Sequence, residues 1–236
     1  MLSIDYKRRL KNSIKIILKK ALNRGYYPRI ECRCKTVYLG SDYGGWEVAG
    51  DFLDNSSIVY SFGIGEDISF DLGLMDLYGV KVHAFDPTPR SIAWVGSQKL
   101  KPNFIFHSFG VADFDGSASF LPPNNLSFVS FRMATKIDKR DNEYIFPVKK
   151  LSSVINELGH DRIDLLKMDV EGAEYEIIED MRKSGIRPRQ VLVEFHHRWP
   201  EIGVKRTRET MQTLSDIGYK LFYTSARDEF GFLLML

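Results

Sequence analysis

The sequence contains few cysteines, no long apolar run and no strong excess of charge of either sign. Cys32 and Cys34 are the two cysteines among 236 residues, and their spacing matches neither a redox C-x-x-C motif nor a complete zinc site. This excludes a disulfide framework, as expected in a reducing cytoplasm. The formal net charge of +2 is too small for a protein dedicated to neutralising nucleic-acid phosphates. We therefore expect a cytoplasmic, globular protein that does not bind nucleic acid.

The N-terminal stretch is basic and lacks the continuous apolar segment of a secretory signal or a membrane span. Lysines and arginines alternate there with leucines and isoleucines at helical spacing, which predicts an amphipathic helix over residues 4–23. Such a helix could pack on the main domain, bind a second subunit or lie on an anionic membrane surface. An aromatic, glycine-rich stretch follows it, so we divide the chain into an extension (1–50) and a main domain (51–236).

The main domain opens with a strand, a glycine turn, a helix and a second strand that ends in an acid. The first strand (58–62) leads into Gly63 and Gly65, where the absence of a Cβ allows a sharp turn and close approach to a ligand. The helix that follows presents free N–H groups and the positive end of its dipole. Asp86 follows at about the 20-residue spacing that places an acid near a bound ribose. These residues predict half of a nucleotide-type cofactor site.

The third glycine of the dinucleotide-binding pattern is missing. A nicotinamide-dependent dehydrogenase carries G-x-G-x-x-G, but Ile68 stands at the last of these positions. The rest of the domain alternates strands and helices, which predicts a mostly parallel sheet with helices on both faces. The last two strands (219–224 and 230–236) are joined by too few residues for a parallel crossover and must be antiparallel. Both features argue against a dehydrogenase.

This arrangement resembles the Rossmann-like fold of class I methyltransferases, and one stretch resembles their FkbM family. Residues 163–174 read IDLLKMDVEGAE, a strand ending in the family's DVEGAE signature, and residues 191–196 (VLVEFH) resemble the strand that follows it. The resemblance implies an α/β fold with a seven-stranded, mostly parallel sheet and one antiparallel strand near the C-terminus. It also implies methyl transfer from S-adenosylmethionine. Ser61 departs from the pattern, because an acid is usual at its position.

Positions at the carboxyl ends of the strands, where ligands of open α/β sheets bind, and the resemblance together give roles to individual residues. The residues expected to contact the cofactor are Gly63, Gly65, Asp86, Gly110, Val111, Ala112 and Asp169. The residues expected to take part in catalysis are Asp169, Glu171, His196 and His197. The residues expected to hold a divalent metal such as Mg²⁺, if one binds, are Asp169, Glu194 and His196.

Methyl transfer to a hydroxyl requires that the acceptor lose its proton, and two routes stay open. His196 or His197 could act as general base, because the usual histidine pKa of about 6.5 suits neutral pH. Alternatively, a divalent metal could lower the pKa of the hydroxyl. A purely structural interpretation makes Asp169 the N-cap of the next helix, with Glu171 and Glu174 complementing the helix dipole.

We expect an O-methyltransferase that acts on a hydroxyl of a sugar, a glycan or a small natural product, a substrate class implied by the family resemblance. Two alternatives belong to other classes. One is a nicotinamide-dependent oxidoreductase. The other is a degenerate methyltransferase fold that binds a partner through its basic N-terminal helix. Binding of S-adenosylhomocysteine or of NADH would separate the first two hypotheses.

Overall fold

A computed structural model describes residues 4–22, 25–122, 131–134 and 143–235. The helices are α1 (Ile4–Ala21), α2 (Ser69–Tyr78), α3 (Pro89–Ser97), α4 (Leu151–Leu158), α5 (Glu174–Ser184) and α6 (Gly203–Asp216). The strands are β1 (Thr36–Leu39), β2 (Trp46–Ala49), β3 (Ile58–Phe62), β4 (Lys81–Phe85), β5 (Phe104–His107), β6 (Gly110–Ala112), β7 (Gly116–Leu121), β8 (Arg132–Met133), β9 (Tyr144–Lys150), β10 (Leu165–Met168), β11 (Gln190–Glu194), β12 (Tyr219–Thr224) and β13 (Glu229–Leu234). A strand and a charged loop, predicted over 127–132 and 135–142, lie largely outside the described residues.

The central sheet has seven strands in the order β12-β13-β11-β10-β3-β4-β5. Strand β13 is antiparallel to β11 and β12, whereas the other adjacent pairs of this sheet are parallel. The chain order reverses between β3 and β10, the kind of position at which open α/β sheets bind ligands. The predicted Rossmann-like class I methyltransferase sheet, with one antiparallel strand near the C-terminus, is confirmed.

Both faces of the sheet are covered, as parallel strands require. Along β10, Leu165 and Leu166 point into different cores, one on each face. Helices α4, α5 and α6 cover one face and contribute Leu151, Ile178 and Leu214 to its core. Helices α2 and α3 cover the other face. The predicted helices on both faces are therefore confirmed.

The β1–β2 hairpin packs on the same face as α2 and α3. Trp46, Val48 and Ala49 are buried in that core. The side-chain amide of Gln190, on the central strand β11, donates to the carbonyl of Ala49 at 3.1 Å and accepts from its N–H at 3.0 Å. The boundary predicted at residue 50 thus separates two segments of the chain that share one core.

Apolar residues over 103–111 predict a single strand, but the structure contains two strands in different sheets. After His107 the chain leaves the central sheet, and β6 joins a four-stranded sheet of order β6-β9-β7-β8. Gly110 permits this crossing, because a Cβ there would lie 3.3 Å from both Pro87 and Val148. The second sheet consequently stands beside the carboxyl ends of the central strands.

Helix α1 confirms the predicted N-terminal helix and contacts the domain through polar side chains. Arg9 donates to the buried carboxylate of Glu47 at 2.6 Å. Asn12 exchanges two hydrogen bonds with the backbone of segment 224–226, and Lys19 donates to a carbonyl of that segment at 2.6 Å. Among the described residues, no helix combines the length and apolar character needed to cross a membrane.

Candidate active site

A cavity of about 630 Å³ opens at the carboxyl ends of β3, β4, β10 and β11. This volume is within the usual range for small-molecule sites. The predicted site residues that line it are Gly63, Gly65, Asp86, Gly110, Val111, Asp169, Glu171, Glu194 and His196. Ala112 and His197, by contrast, are not part of the described lining. The structure therefore brings the glycine turn and the acids of two later strand ends into one space.

The conformation of the glycine turn is fixed by contacts within the protein. Gly63 has a φ of +72°, and a Cβ at this residue would lie 1.7 Å from the carbonyl oxygen of Asp169. Its N–H donates to the carbonyl of Phe85 at 2.9 Å. Gly65 has a φ of +54° and donates its N–H to Asp86 Oδ2 at 3.0 Å. The N–H groups of both glycines are thus used within the protein.

Asp86 organises the loop between β4 and α3. Its Oδ1 accepts hydrogen bonds from the N–H and the hydroxyl of Thr88, at 3.0 and 2.6 Å. Its Oδ2 accepts the bond from Gly65 described above. Because each carboxylate oxygen can accept about two hydrogen bonds, Oδ1 is filled and Oδ2 keeps one acceptor position. Asp86 lines the cavity, so this position suits one ribose hydroxyl rather than two.

Lys167 is a buried cation beneath the glycine turn that the sequence interpretation missed. Its Nζ donates to the carbonyls of Gly63 and Phe62, at 2.6 and 3.3 Å, and lies 5.5 Å from the centre of the Trp46 ring. It also influences Asp71 on α2, whose pKa burial raises to about 6 while Lys167 opposes the rise. A lysine in the middle of an apolar strand was the available signal.

His196 lies between two carboxylates at the end of β11. Its Nδ1 is 3.1 Å from Glu174 Oε1, and its Nε2 is 3.2 Å from Glu171 Oε2. Glu174, which is fully buried, also accepts the backbone N–H of His196 at 3.0 Å and that of Gly172 at 2.8 Å. Burial alone would lower the pKa of His196, but the hydrogen bonds to Glu171 and Glu174 outweigh it and raise the pKa well above the usual value. The two carboxylates therefore favour the imidazolium form of the ring.

This charge state limits what His196 can do. An imidazolium neither accepts a proton nor binds a metal, so both predicted roles require Nε2 to give up its proton. Glu171 is held at a φ of +49°, a strained conformation for a residue with a side chain and one that collects at functional sites. Helix α5 begins at Glu174 and its N-cap is Ala173, so the interpretation of Asp169 as the N-cap is wrong.

The acids around His196 fit the donor set of a divalent cation. Asp169, Glu171 and His196 each place one ligand atom within 4.8 Å of the others. The predicted ligand Glu194 is more distant, with Oε1 3.9 Å from His196 Nε2, and pairs with Arg198 at 2.7 Å. Burial raises the pKa of Glu194 to about 8, and the charge of Asp169 adds to the rise. Carboxylates with one imidazole suit Mg²⁺, Mn²⁺ or Zn²⁺.

His197 is buried outside the cavity. Its Nε2 is 3.6 Å from Asp228 Oδ1, and neither ring nitrogen has a hydrogen-bond partner among the described residues. Burial lowers its pKa. The structure therefore does not place His197 where it could reach an acceptor in the cavity, and of the two predicted bases His196 alone lies in the described lining.

The remaining wall of the cavity comes from segments far apart along the chain. The residues of this wall include Lys19 of α1, Tyr43, Gly44 and Trp46 of the hairpin, and Ala226, Arg227 and Glu229 before and in β13. Burial raises the pKa of Glu229 to about 7. No local motif marks these residues, because they meet only through the tertiary structure.

Comparisons with known proteins identify the same region. The chain matches the methyltransferase FkbM domain family over residues 63–221. It is 27% identical over 177 residues to the probable methyltransferase-like protein 24 of Rattus norvegicus, covering 70% of this chain and 42% of that protein. For the Homo sapiens protein of the same description, the identity is 28% over 148 residues, covering 60% and 33%. The chain spans less than half the length of these curated relatives.

Solved structures include similar chains of low identity. The methyltransferase FkbM of Methylobacillus flagellatus KT is 14% identical with a TM-score of 0.48, covering 77% of this chain and 44% of that one. Fibrillarin of Aeropyrum pernix, in complex with natively bound S-adenosyl-L-methionine, is 11% identical with a TM-score of 0.43, covering 78% and 68%. The family match extends over more than half of the sequence and includes the glycine turn, Asp86 and the DVEGAE stretch. The chain belongs to the FkbM methyltransferase family.

Proposed function

We propose that this chain transfers a methyl group from S-adenosylmethionine to a hydroxyl oxygen of a sugar, a glycan or a small natural product. The observation that carries the proposal is that the glycine turn and Asp86 line the same cavity as Glu171 and His196, whose ring also contacts the buried Glu174. Family membership supports the methyl donor and leaves the nicotinamide alternative without support. An oxygen acceptor is supported by a group of side chains able to receive its proton.

On the donor side, the main task of the protein is alignment. Asp86 Oδ2 would accept one ribose hydroxyl, and Gly110 and Val111 would border the adenine. The sulfonium is already activated, so the acceptor oxygen needs chiefly to be held in line behind the methyl carbon. Proximity and orientation of this kind can supply about 7–11 kcal/mol of a barrier.

On the acceptor side, the histidine must first become neutral. When an acceptor hydroxyl enters, His196 Nε2 gives its proton to Glu171 and the ring becomes an imidazole. The hydroxyl then donates its proton to Nε2 as its oxygen attacks the methyl carbon, and the methyl–sulfur bond breaks. Glu174 stays on Nδ1 throughout and stabilises the imidazolium that forms again. The proton of the acceptor thus ends on His196.

A divalent cation is the second candidate for activating the hydroxyl, and it is favoured by the close approach of Asp169, Glu171 and His196. These three residues would hold the ion. When bound, such an ion lowers the pKa of a coordinated hydroxyl. Glu174 would then orient His196 through Nδ1, as carboxylates behind metal-binding histidines do.

Donor binding is tested by calorimetry with S-adenosylhomocysteine. We expect Asp86→Asn to weaken binding by about tenfold or more, because it removes an acceptor for the ribose and disturbs the Gly65 turn. Asp76→Asn is the matched control, since Asp76 is exposed on α2. No binding by the unaltered protein, or equal affinity in both variants, would contradict the assignment of the donor site.

Acceptor chemistry is tested with labelled S-adenosylmethionine and a panel of glycans and small alcohols. We expect transfer to at least one hydroxyl, and a loss of about 100-fold or more in kcat for His196→Asn. Tight binding of the donor without transfer to any acceptor would favour the degenerate binding module instead. Activity that survives a chelator and does not rise with added Mg²⁺ or Mn²⁺ would remove the metal route and leave the histidine route.

A further inference from the structure

Helix α1 is oriented with its apolar side away from the domain. The half-buried side chains of α1 are Arg8, Asn12, Ile16 and Lys19, which recur every three or four residues and face the domain. Arg9, which is more exposed, also reaches the domain through Glu47. The exposed apolar side chains on the opposite side are Leu10 (47%), Ile14 (50%), Ile17 (65%), Leu18 (57%) and, just beyond the helix, Leu22 (64%). At about 100° per residue, the centres of these two sets lie on opposite sides of the helix. We call the exposed set the outer face of α1.

Basic side chains border the outer face. Lys7, Lys11 and Lys15 follow one edge, Lys20 lies towards the other, and all four are exposed. Isoleucines and leucines flanked by lysines are the pattern of helices that lie in the interface of a bilayer, where lysine stems extend towards the headgroups. The charge of this surface is therefore complementary to an anionic membrane.

We propose that the outer face of α1 binds the surface of an anionic lipid bilayer. A second copy of the chain fits this face less well, because pairing two outer faces in an antiparallel twofold dimer would bring two rows of lysines together. A nucleic acid would engage the lysines and leave the leucines and isoleucines exposed. A bilayer satisfies both parts of the surface at once.

The position of α1 gives this binding a consequence for the cavity. Lys19 lines the cavity and donates to the carbonyl of Ala226, next to Arg227 in the same wall. A bilayer on the outer face would therefore hold the cavity close to the headgroup layer. The binding itself does not depend on the proposed methyl transfer, so the two can fail separately.

Vesicle flotation of the full chain tests the proposal. We expect about tenfold or more protein to float with vesicles containing about 30% phosphatidylglycerol than with phosphatidylcholine alone, and most of it to be released at about 0.5 M NaCl. Ile14→Glu/Ile17→Glu should reduce flotation to the level of neutral vesicles. The control Leu77→Glu introduces one glutamate at an exposed apolar position of α2 (54%), away from the outer face, and should float like the unaltered protein.

Folding of each variant is checked by circular dichroism, and Lys11→Gln/Lys15→Gln tests the same face if the glutamate variant unfolds. This variant should lose about half or more of its flotation, because each lysine near an anionic surface contributes to binding. The proposal would be overturned if the unaltered protein did not float with anionic vesicles, or if the folded Ile14→Glu/Ile17→Glu variant floated as well as the unaltered protein. A lipid-free dimer that this variant dissociates, or an RNA oligonucleotide that the face binds in preference to vesicles, would overturn it in favour of those partners.

Discussion

Replacing Glu174 by glutamine preserves the shape of the side chain and should still cost several kcal/mol of stability. The carboxylate is fully buried and accepts three hydrogen bonds: two from His196, through its N–H and Nδ1, and one from the N–H of Gly172. In the glutamine variant one oxygen becomes an NH₂ group. That group can only donate, so it opposes one of these donors instead of accepting from it.

The magnitude follows from two costs that overlap. A buried donor left without an acceptor costs about 1–3 kcal/mol, and breaking a buried ion pair from one side costs about 3–5 kcal/mol. We expect the free energy of unfolding to fall by about 3–5 kcal/mol near pH 6, because the two terms share the same atoms.

The effect should depend on pH with a definite sign. Because the pKa of His196 is raised in the folded protein, its contribution to stability is complete below about pH 6.5 and is lost as the pH rises through the raised value. The difference between the unaltered protein and Glu174→Gln should therefore be largest near pH 6 and shrink at alkaline pH.

Urea unfolding followed by circular dichroism at several pH values measures this difference. Glu179→Gln is the matched control, because Glu179 lies on the same helix, α5, but its side chain is 39% exposed and pairs with Arg182 at the surface. This control should change stability by about 1 kcal/mol or less. If Glu174→Gln unfolded at the same urea concentration as Glu179→Gln, or if the difference did not vary with pH, the charge state assigned to His196 would be wrong.

Three further predictions concern the glycine turn, a buried histidine and the acid cluster. Gly63→Ala should lower the free energy of unfolding by several kcal/mol and abolish binding of S-adenosylhomocysteine, because its Cβ would lie 1.7 Å from the Asp169 carbonyl oxygen. The control Gly96→Ala has open space around it and should be at least as stable as the unaltered protein. Burial and neighbouring histidines lower the pKa of His83 to about 4, so the free energy of unfolding should fall as the pH drops from about 6.5 to 4. In urea unfolding at several pH values, His83→Phe should show a smaller decrease over this range. If the metal route operates, Mn²⁺ should raise the melting temperature of the unaltered protein and not that of Glu171→Gln.

The elements proposed to hold the donor were predictable because their signals are local. A strand, two glycines and an acid at the end of the next strand lie within about 30 residues, and they mark Gly63, Gly65 and Asp86 without any distant contact. The antiparallel final strand followed from the length of one connection, 225–228. Both predictions depend on residue spacing and connection length, which can be read directly from a single sequence.

The parts that were missed depend on neighbours distant in sequence. The charge of His196 is set by Glu171 and Glu174, which are more than 20 residues away in the sequence. The placement of His197 outside the cavity follows from the alternation of side chains beyond β11, which could have been anticipated. Residues 103–111 predict a single strand because their apolar pattern is continuous. The separation into β5 and β6 depends on distant neighbours, since Gly110 lies close to Pro87 and Val148.

The walls of the cavity come from different parts of the chain, which suggests a way to change the specificity for the methyl acceptor. The glycine turn, Asp86 and the acids of β10 and β11 all lie within residues 63–221, the span shared with the family. Another part of the wall is supplied by the hairpin turn at 43–46 and the segment 226–229, both outside that span. A chimera that keeps 63–221 and takes these two flanking segments from a relative should accept a different alcohol while binding the same donor.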